Sequence, residues 1–288
     1  MQAEFEEKQY EQHLNLELLN GSNLLFPPGQ MLENTVGFDA ALFTAHPKLW
    51  KHFPHLYKWH HWLLRNAPRG MSLPIELWHE IEHGIEHFPK FRFNAFIQHK
   101  RPEYMKRSDA SEWSSWNSSY YRYKLMSHQQ DALSRIDGVI GNSGIVVYAC
   151  PAFYTISELW SAIEKRKVID SSNFCQVSRL NGHKAYTYQK AGNFGIAHSE
   201  PEQIESINFQ EHLSRLSEMQ HVESNAQHLL NLSKQIDSVM LEAPEYAKNY
   251  KKITEFMLTE LGQMPTASAL VKIDAFRFLT RTQLLIGY

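Results

Sequence analysis

The sequence predicts a mixed α/β fold, with a central sheet flanked by helices and a helical C-terminal region. Residues 91–98 are apolar and aromatic, and residues 144–150 form an uninterrupted apolar run. Such runs are typical of strands that are buried on both faces. After about residue 205 the apolar positions follow helical spacing instead, in segments near 207–238, 243–263 and 267–284.

Three elements are predicted before residue 91. Residues 3–19 predict a helix, because apolar side chains recur there at helical spacing: Phe5, Tyr10, Leu14 and Leu18. Residues 36–43 resemble a short buried strand that carries one acid, Asp39. Residues 46–88 are rich in His, Trp and Pro, which predicts inserted helices separated by prolines.

Further elements are predicted around the second core strand. Residues 117–136 have the spacing of a helix with Tyr121 on its apolar side. Residues 155–167 predict another helix, which Ser157 would cap. Residues 183–198 predict a β-hairpin, because two strand-like segments flank a short polar turn.

Composition limits the class of protein. The formal net charge is −2, so a nucleic-acid partner would have to be held by a local basic surface. The two cysteines, Cys150 and Cys175, do not indicate a disulfide framework, which fits a reducing compartment. The acidic start is unlike a signal peptide, and no apolar run is long enough to span a membrane. These features predict a soluble cytoplasmic protein without a membrane partner.

Side chains that suit phosphodiester hydrolysis lie at the end of the first core strand. Gln98 and Lys100 are two positions apart in an extended segment, so they share a face. A neighbouring strand would supply Asp39, and Glu33 is close enough in sequence to reach the same end of the sheet. Oxygen ligands of this kind hold Mg²⁺, and a lysine beside the metal stabilises negative charge that develops on the phosphate.

This set of residues resembles the PD-(D/E)xK nuclease superfamily in its Q-x-K variant, over roughly residues 30–155. The resemblance implies a restriction-endonuclease-like sheet within an α/β domain of residues 1–200, followed by a helical region of residues 201–288. It also implies a Mg²⁺- or Mn²⁺-dependent endonuclease that cuts DNA, with a role in defence against foreign DNA within a larger complex. The apolar faces of the C-terminal helices are where a partner protein or a second copy would dock.

The resemblance implies a role for each residue of the set. Asp39 would be the principal metal ligand, and the His99 backbone carbonyl a second ligand. Gln98 would take the position usually held by an acid, and Lys100 would be the catalytic lysine. Glu33 would match the additional upstream acid that supports metal binding.

Gln129, on the helix after the strand, would face the site. Three features depart from the family pattern. Phe38 stands where a proline usually precedes the acid, Gln98 removes one charged ligand, and the long interval between Asp39 and Gln98 requires the insertion. They leave open whether one metal or two bind and whether the protein is active. A subunit that keeps the fold without its chemistry, for interaction or DNA binding, is therefore one alternative.

The second alternative is a zinc metallopeptidase. Residues 79–83 match the pattern H-E-x-x-H, in which His79 and His83 would bind zinc and Glu80 would polarise water. The chain contains 16 histidines, so chance matches to this pattern are frequent. His87 also lies too close to His83 for the longer metzincin pattern. A solvated face of His and Glu explains the same residues without a metal.

A basic and aromatic surface is predicted beside Lys100, where phosphate contacts and base stacking would hold a nucleic-acid strand. Its members would be Lys100, Arg101, Lys106, Arg107, Arg122, Tyr104, Tyr120, Tyr121 and Tyr123. In the alternative interpretation the tyrosines face the core and the charges beside them are solvated.

Overall fold

The computed structural model describes residues 1–19, 23–25, 79, 82–219, 223–261 and 264–288. The strand predicted at 36–43 and most of the insertion predicted at 46–88 lie outside these residues. The described elements are, in chain order, α1 (Glu7–Leu19), β1 (Asn23–Leu25), β2 (Phe93–His99), β3 (Glu103–Met105), α2 (Trp113–Trp116), β4 (Tyr120–Lys124), α3 (Ser127–Ile140), β5 (Gly144–Pro151), α4 (Ile156–Glu164), β6 (Ser172–Gln176), β7 (Ala185–Tyr188), β8 (Gly195–His198), β9 (Glu202–Ile204), α5 (Phe209–Ser217), α6 (Asn225–Glu242), α7 (Pro244–Leu261), α8 (Pro265–Thr280) and β10 (Gln283–Gly287).

The central sheet has the order β1-β10-β2-β5-β6. Strands β2 and β5 are parallel and the other pairs are antiparallel, so both predicted core strands are confirmed. A close approach at the start of β5 requires glycine, because a Cβ at Gly144 would lie 2.2 Å from the backbone oxygen of Asn94. This contact brings β5 close to β2 at the end opposite Lys100.

Helices cover both faces of this sheet, which confirms the mixed α/β class. On β2, Phe96 faces the layer formed by α3, α6 and α8, whereas Ala95 and Ile97 face α1, α4 and α5. The first predicted helix is confirmed as α1, and its Tyr10, Leu14 and Leu18 side chains are buried in the second of these layers. The alternation of side chains along β2 therefore sends successive residues into two separate cores.

A second sheet, entirely antiparallel, has the order β3-β4-β7-β8-β9. The predicted hairpin at 183–198 is confirmed as β7 and β8. The helix predicted over residues 117–136 is wrong in its first half, because Tyr120–Lys124 forms strand β4 and the helix begins at Ser127. Tyrosines favour strands, and Tyr121 and Tyr123 pack their rings into the core between the sheets.

The cap of helix α4 is also different from the one predicted. Thr155, not Ser157, is the N-cap residue: its hydroxyl accepts from the Glu158 backbone N–H at 3.2 Å. The Glu158 carboxylate in turn accepts from the Thr155 backbone N–H at 2.9 Å. This reciprocal arrangement is a capping box, and its N-cap residue lies two positions before the one that the sequence pattern indicated.

The C-terminal region of residues 201–288 is helical as predicted between Phe209 and Thr280. The prediction is wrong for Glu202–Ile204, which forms β9, and for Gln283–Gly287, which forms β10 between β1 and β2. The division of the chain at residue 200 stays a prediction, although β10 belongs to the central sheet. The apolar faces expected to dock a partner are used within the chain, because α6 and α8 bury them in the core. Within the described part of the chain, no helix combines the length and apolar character that crossing a bilayer requires.

Candidate functional site

Four element ends meet at one edge of the central sheet. The parallel strands β2 and β5 both end there, and the Lys100 backbone N–H extends their pairing by donating to Ala149 O at 2.9 Å. Helix α3 begins beside them at Ser127. Strand β10 runs antiparallel to β2, so its first residue, Gln283, pairs with Ile97 near the end of β2. The ends of parallel strands are a common place for sites in α/β folds.

Three of the predicted site residues form a hydrogen-bonded chain at this edge. The Lys100 Nζ donates to Gln129 Oε1 at 2.9 Å, and Gln129 Nε2 donates to Gln98 Oε1 at 2.8 Å. Gln98 Nε2 then donates to the backbone oxygen of His99 at 3.0 Å. Because an ammonium only donates, Lys100 determines the orientation of both amides along the chain. We refer to Gln98, Lys100 and Gln129 as the polar cluster.

The junction between α8 and β10 holds the polar cluster in place. Gln129 Nε2 also donates to the Thr280 backbone oxygen at 2.6 Å. The Thr282 hydroxyl contacts Gln98 Oε1 at 3.4 Å. These contacts connect the site to residues near the C-terminal end of the described chain. The resemblance covers only residues 30–155, so it did not predict them.

The polar cluster is shielded from solvent. The exposed fractions of Gln98, Lys100 and Gln129 are 3%, 8% and 2%. Burial lowers the pKa of Lys100, and the Glu7 carboxyl opposes this effect by favouring the charged ammonium. The Tyr148 ring supports the same charge, with its centroid 5.1 Å from Nζ.

Glu7 is a site residue that sequence reasoning missed. Burial raises the pKa of its carboxyl, whereas the charge of Lys100 and a hydrogen bond from the Arg101 backbone N–H lower it. A signal was present: Glu7 lies three and seven positions before Tyr10 and Leu14 and so falls on the buried stripe of α1. An acid in line with an apolar stripe indicates a charge with a buried partner.

The His99 side chain points to the opposite layer from the polar cluster. Its ring meets Tyr10 edge-on, with 5.8 Å between centroids, and its Nε2 has no hydrogen-bond partner among the described residues. Burial lowers the pKa of His99 to about 4, so the imidazole is neutral at physiological pH. The His99 backbone oxygen, which the sequence predicts as a metal ligand, accepts a hydrogen bond from Gln98 Nε2.

Arg101 and Tyr121, the two secondary residues, lie apart from the polar cluster. Arg101 donates to Ala3 O at 2.6 Å and pairs with Glu6 at 3.1 Å, so it anchors the N-terminal segment. Tyr121 packs against Tyr104, with 4.9 Å between the ring centroids, and against Tyr188.

The basic and aromatic surface that would include Arg101 and Tyr121 is better explained by core tyrosines and neutralised charges. Arg107 pairs with Asp109, and Arg122 pairs with two glutamates. Lys106 rests on the stacked rings of Tyr104 and Tyr154. Tyr120 and Tyr123 are buried. Of the predicted members, only Lys100 takes part in the polar cluster.

Asp39 and Glu33 lie outside the described residues, so their distances from Lys100 are predictions. The sheet nevertheless corrects one expectation. Both edges of β2 are already paired, with β10 on one side and β5 on the other. Neither side of β2 is therefore open to pairing with a further strand.

The second glutamate of the H-E-x-x-H sequence has a structural role. Glu82 accepts from the backbone N–H groups of Thr266 and Ala267 at 3.2 and 3.0 Å, which caps the start of α8. His79 and His83 are exposed, and Glu80 lies outside the described residues. Across the part of the chain that the structure covers, no group of three or more His, Cys, Asp and Glu side chains is arranged to hold a metal ion.

This chain was compared with protein-family models, with curated proteins and with solved structures, and none of the three comparisons found a match.

Proposed function

We propose that this chain is a divalent-metal-dependent nuclease that hydrolyses phosphodiester bonds of DNA. The observation that carries the proposal is the buried polar cluster at the shared end of β2 and β5, in which Lys100 is held by Gln129 and opposed by Glu7. Proteins bury a lysine only where its charge has a specific use or partner. A lysine fixed beside a carboxylate suits the stabilisation of a phosphate that gains negative charge during hydrolysis.

The oxygen atoms near Lys100 are of the type that Mg²⁺ and Mn²⁺ prefer. Among the described residues, the oxygen atoms that could bind such an ion are Gln98 Oε1, the His99 backbone oxygen and the Glu7 carboxyl. They include one carboxylate, which is too little negative charge for a hard divalent ion. A complete site therefore requires Asp39, with Glu33 as a further acid. A bound cation would polarise the phosphate and activate water, while the chain's own residues position the substrate and exclude solvent.

The test is cleavage of plasmid and linear DNA with added Mg²⁺ or Mn²⁺. We expect Asp39→Asn, Lys100→Met and Glu7→Gln to slow cleavage about 100-fold or more, the loss typical of removing one group that stabilises a transition state. Matched controls are Asp109→Asn, an exposed acid paired with Arg107, and Lys165→Met, an exposed lysine after α4. Both controls should cut at the parent rate.

Circular dichroism and a melting temperature near that of the parent would establish that each variant is folded. Folded Asp39→Asn and Lys100→Met proteins that cut DNA as fast as the parent would overturn the proposal. Equal losses in the site variants and in the two controls would also count against it, because such losses would reflect general damage.

A further inference from the structure

Arg281 occupies a specific place beside the polar cluster. It lies between Thr280, whose backbone oxygen accepts from Gln129 at 2.6 Å, and Thr282, whose hydroxyl contacts Gln98. Its own backbone N–H donates to Arg277 O at the end of α8. The residues on both sides of Arg281 are thus tied to the two glutamines, which fixes the backbone from which its side chain extends.

The backbone of Arg281 is in the left-handed region, with φ 56° and ψ 41°. Glycine adopts this conformation more easily than arginine, so an ordinary helix end does not call for arginine here. The conformation does not mark a site by itself, because Arg166 has φ 53° at the end of α4. What distinguishes Arg281 from Arg166 is its position next to the polar cluster.

The charge of Arg281 acts on a second positive charge, that of Lys100. Burial lowers the pKa of Lys100, and the positive charge of Arg281 lowers it further. Burial raises the pKa of Tyr246, and Arg281 opposes that rise, so the guanidinium lies within electrostatic reach of both residues. The Arg281 side chain is exposed, and among the described residues it has no ion-pair or hydrogen-bond partner. The Glu7 carboxyl already opposes the charge of Lys100, whereas Arg281 is exposed and has no such partner among the described residues, so an anion is favoured beside Arg281.

We propose that Arg281 binds a phosphate of the nucleic-acid backbone and so places the adjoining phosphodiester at Lys100. This inference rests on the proposed nuclease function and names the residue that positions its substrate. A guanidinium presents a planar set of N–H donors that fits two phosphate oxygens at once. Its fixed backbone means that no loop has to be ordered when the phosphate binds.

The test measures binding of a fluorescent DNA duplex to the full chain without added divalent metal, so that cleavage does not interfere. Arg281→Gln should weaken binding about tenfold and reduce the slope of log K against log salt concentration by about 0.9, the value for one lost phosphate contact on duplex DNA. Arg281→Lys should retain most of the slope, because the charge is kept. Arg166→Gln is the matched control, with the same residue type and backbone conformation away from the site, and its slope should equal that of the parent.

Arg281→Gly separates function from folding. Glycine relieves the left-handed conformation, so the melting temperature should be unchanged or higher while DNA binding falls as in Arg281→Gln. Arg166→Gly should show the same change in melting temperature with no loss of binding. If the parent binds DNA and the Arg281 variants bind with the same affinity and salt slope, the inference fails while the nuclease proposal stands. If the parent itself binds no DNA, the proposed function fails first.

Discussion

Gln129 joins the start of helix α3 to the backbone of Thr280, with 2.6 Å between Gln129 Nε2 and Thr280 O. The same side chain accepts from Lys100 at 2.9 Å through its oxygen. One amide therefore connects Lys100, which directly follows β2, with Thr280 near the other end of the chain. This relationship makes Gln129 both a structural residue and a site residue.

Gln129→Ala should lower the free energy of unfolding by about 1–3 kcal/mol, because it leaves a buried lysine and a buried backbone oxygen without their partner. Urea denaturation followed by circular dichroism measures this loss. Gln130→Ala is the control, since Gln130 is also buried and bonds Val177 O at 2.8 Å but does not touch Lys100. Both variants should be destabilised, and Gln129→Ala alone should also slow DNA cleavage. An unchanged unfolding free energy in Gln129→Ala would contradict the hydrogen-bond chain.

Gln98→Glu should make folding stability respond to divalent metal. One carboxylate oxygen still accepts from Gln129, whereas the other faces the His99 backbone oxygen to which Gln98 now donates. Two buried acceptors that face each other are unfavourable, so we expect a lower melting temperature without metal and a recovery when Mg²⁺ or Mn²⁺ bridges them. Gln98→Met serves as the control, because it lacks the carboxylate and should show no such recovery. Equal responses to metal in the two variants would argue against a cation position at this edge.

His99 should make the protein sensitive to acid. Burial holds its pKa at about 4, below the value of about 6.5 in an unfolded chain, so the unfolded state binds more protons between these two values. This contribution to stability is fully present above pH 6.5 and is lost as the pH falls to 4, by about 3 kcal/mol in total. Denaturation curves across this range should be less pH-dependent for His99→Gln than for the parent. The exposed residue His83 provides the comparison, and His83→Gln should retain the parent's pH dependence.

The helix around residue 82 provides a test between structural and metal-binding roles. Glu82→Ala should cost about 1 kcal/mol of stability, because it removes the carboxylate that accepts from Thr266 and Ala267 at the start of α8. His79→Ala and His83→Ala should cost less, since both histidines are exposed. Zinc bound at one equivalent per purified chain, and lost in the two histidine variants, would instead support the metallopeptidase alternative.

Local patterns were sufficient to predict the elements that position Gln98 and Lys100. Long apolar runs indicated β2 and β5, and the strand period placed the two side chains on one face. The polar cluster itself follows from these elements and from the helix that carries Gln129. The prediction at Tyr120–Lys124 failed because a short aromatic segment has both helical spacing and a strong preference for strands.

Contacts between distant parts of the chain were not predictable in this way. Gln283–Gly287 is short and follows a helix directly, and only its pairing with β1 and β2 makes it a strand. The sequence pattern assigned the place beside β2 to a strand with Asp39, because motif reasoning joins segments that are near in sequence. Glu7 was missed for a similar reason, since its partner Lys100 is on a different element and a helix start is an ordinary place for an acid.

The position of β10 has a consequence for biosynthesis. Strand β2 leaves the ribosome early, and translation at about 5–20 residues per second delays β10 by on the order of ten seconds or more. Throughout this interval one edge of β2 lacks its partner, and an unpaired apolar strand tends to associate with other chains. Nascent copies of this protein therefore expose this side of β2 to association with other chains until residue 287 has been made, and the polar cluster lacks its contacts with Thr280 and Thr282 for nearly as long.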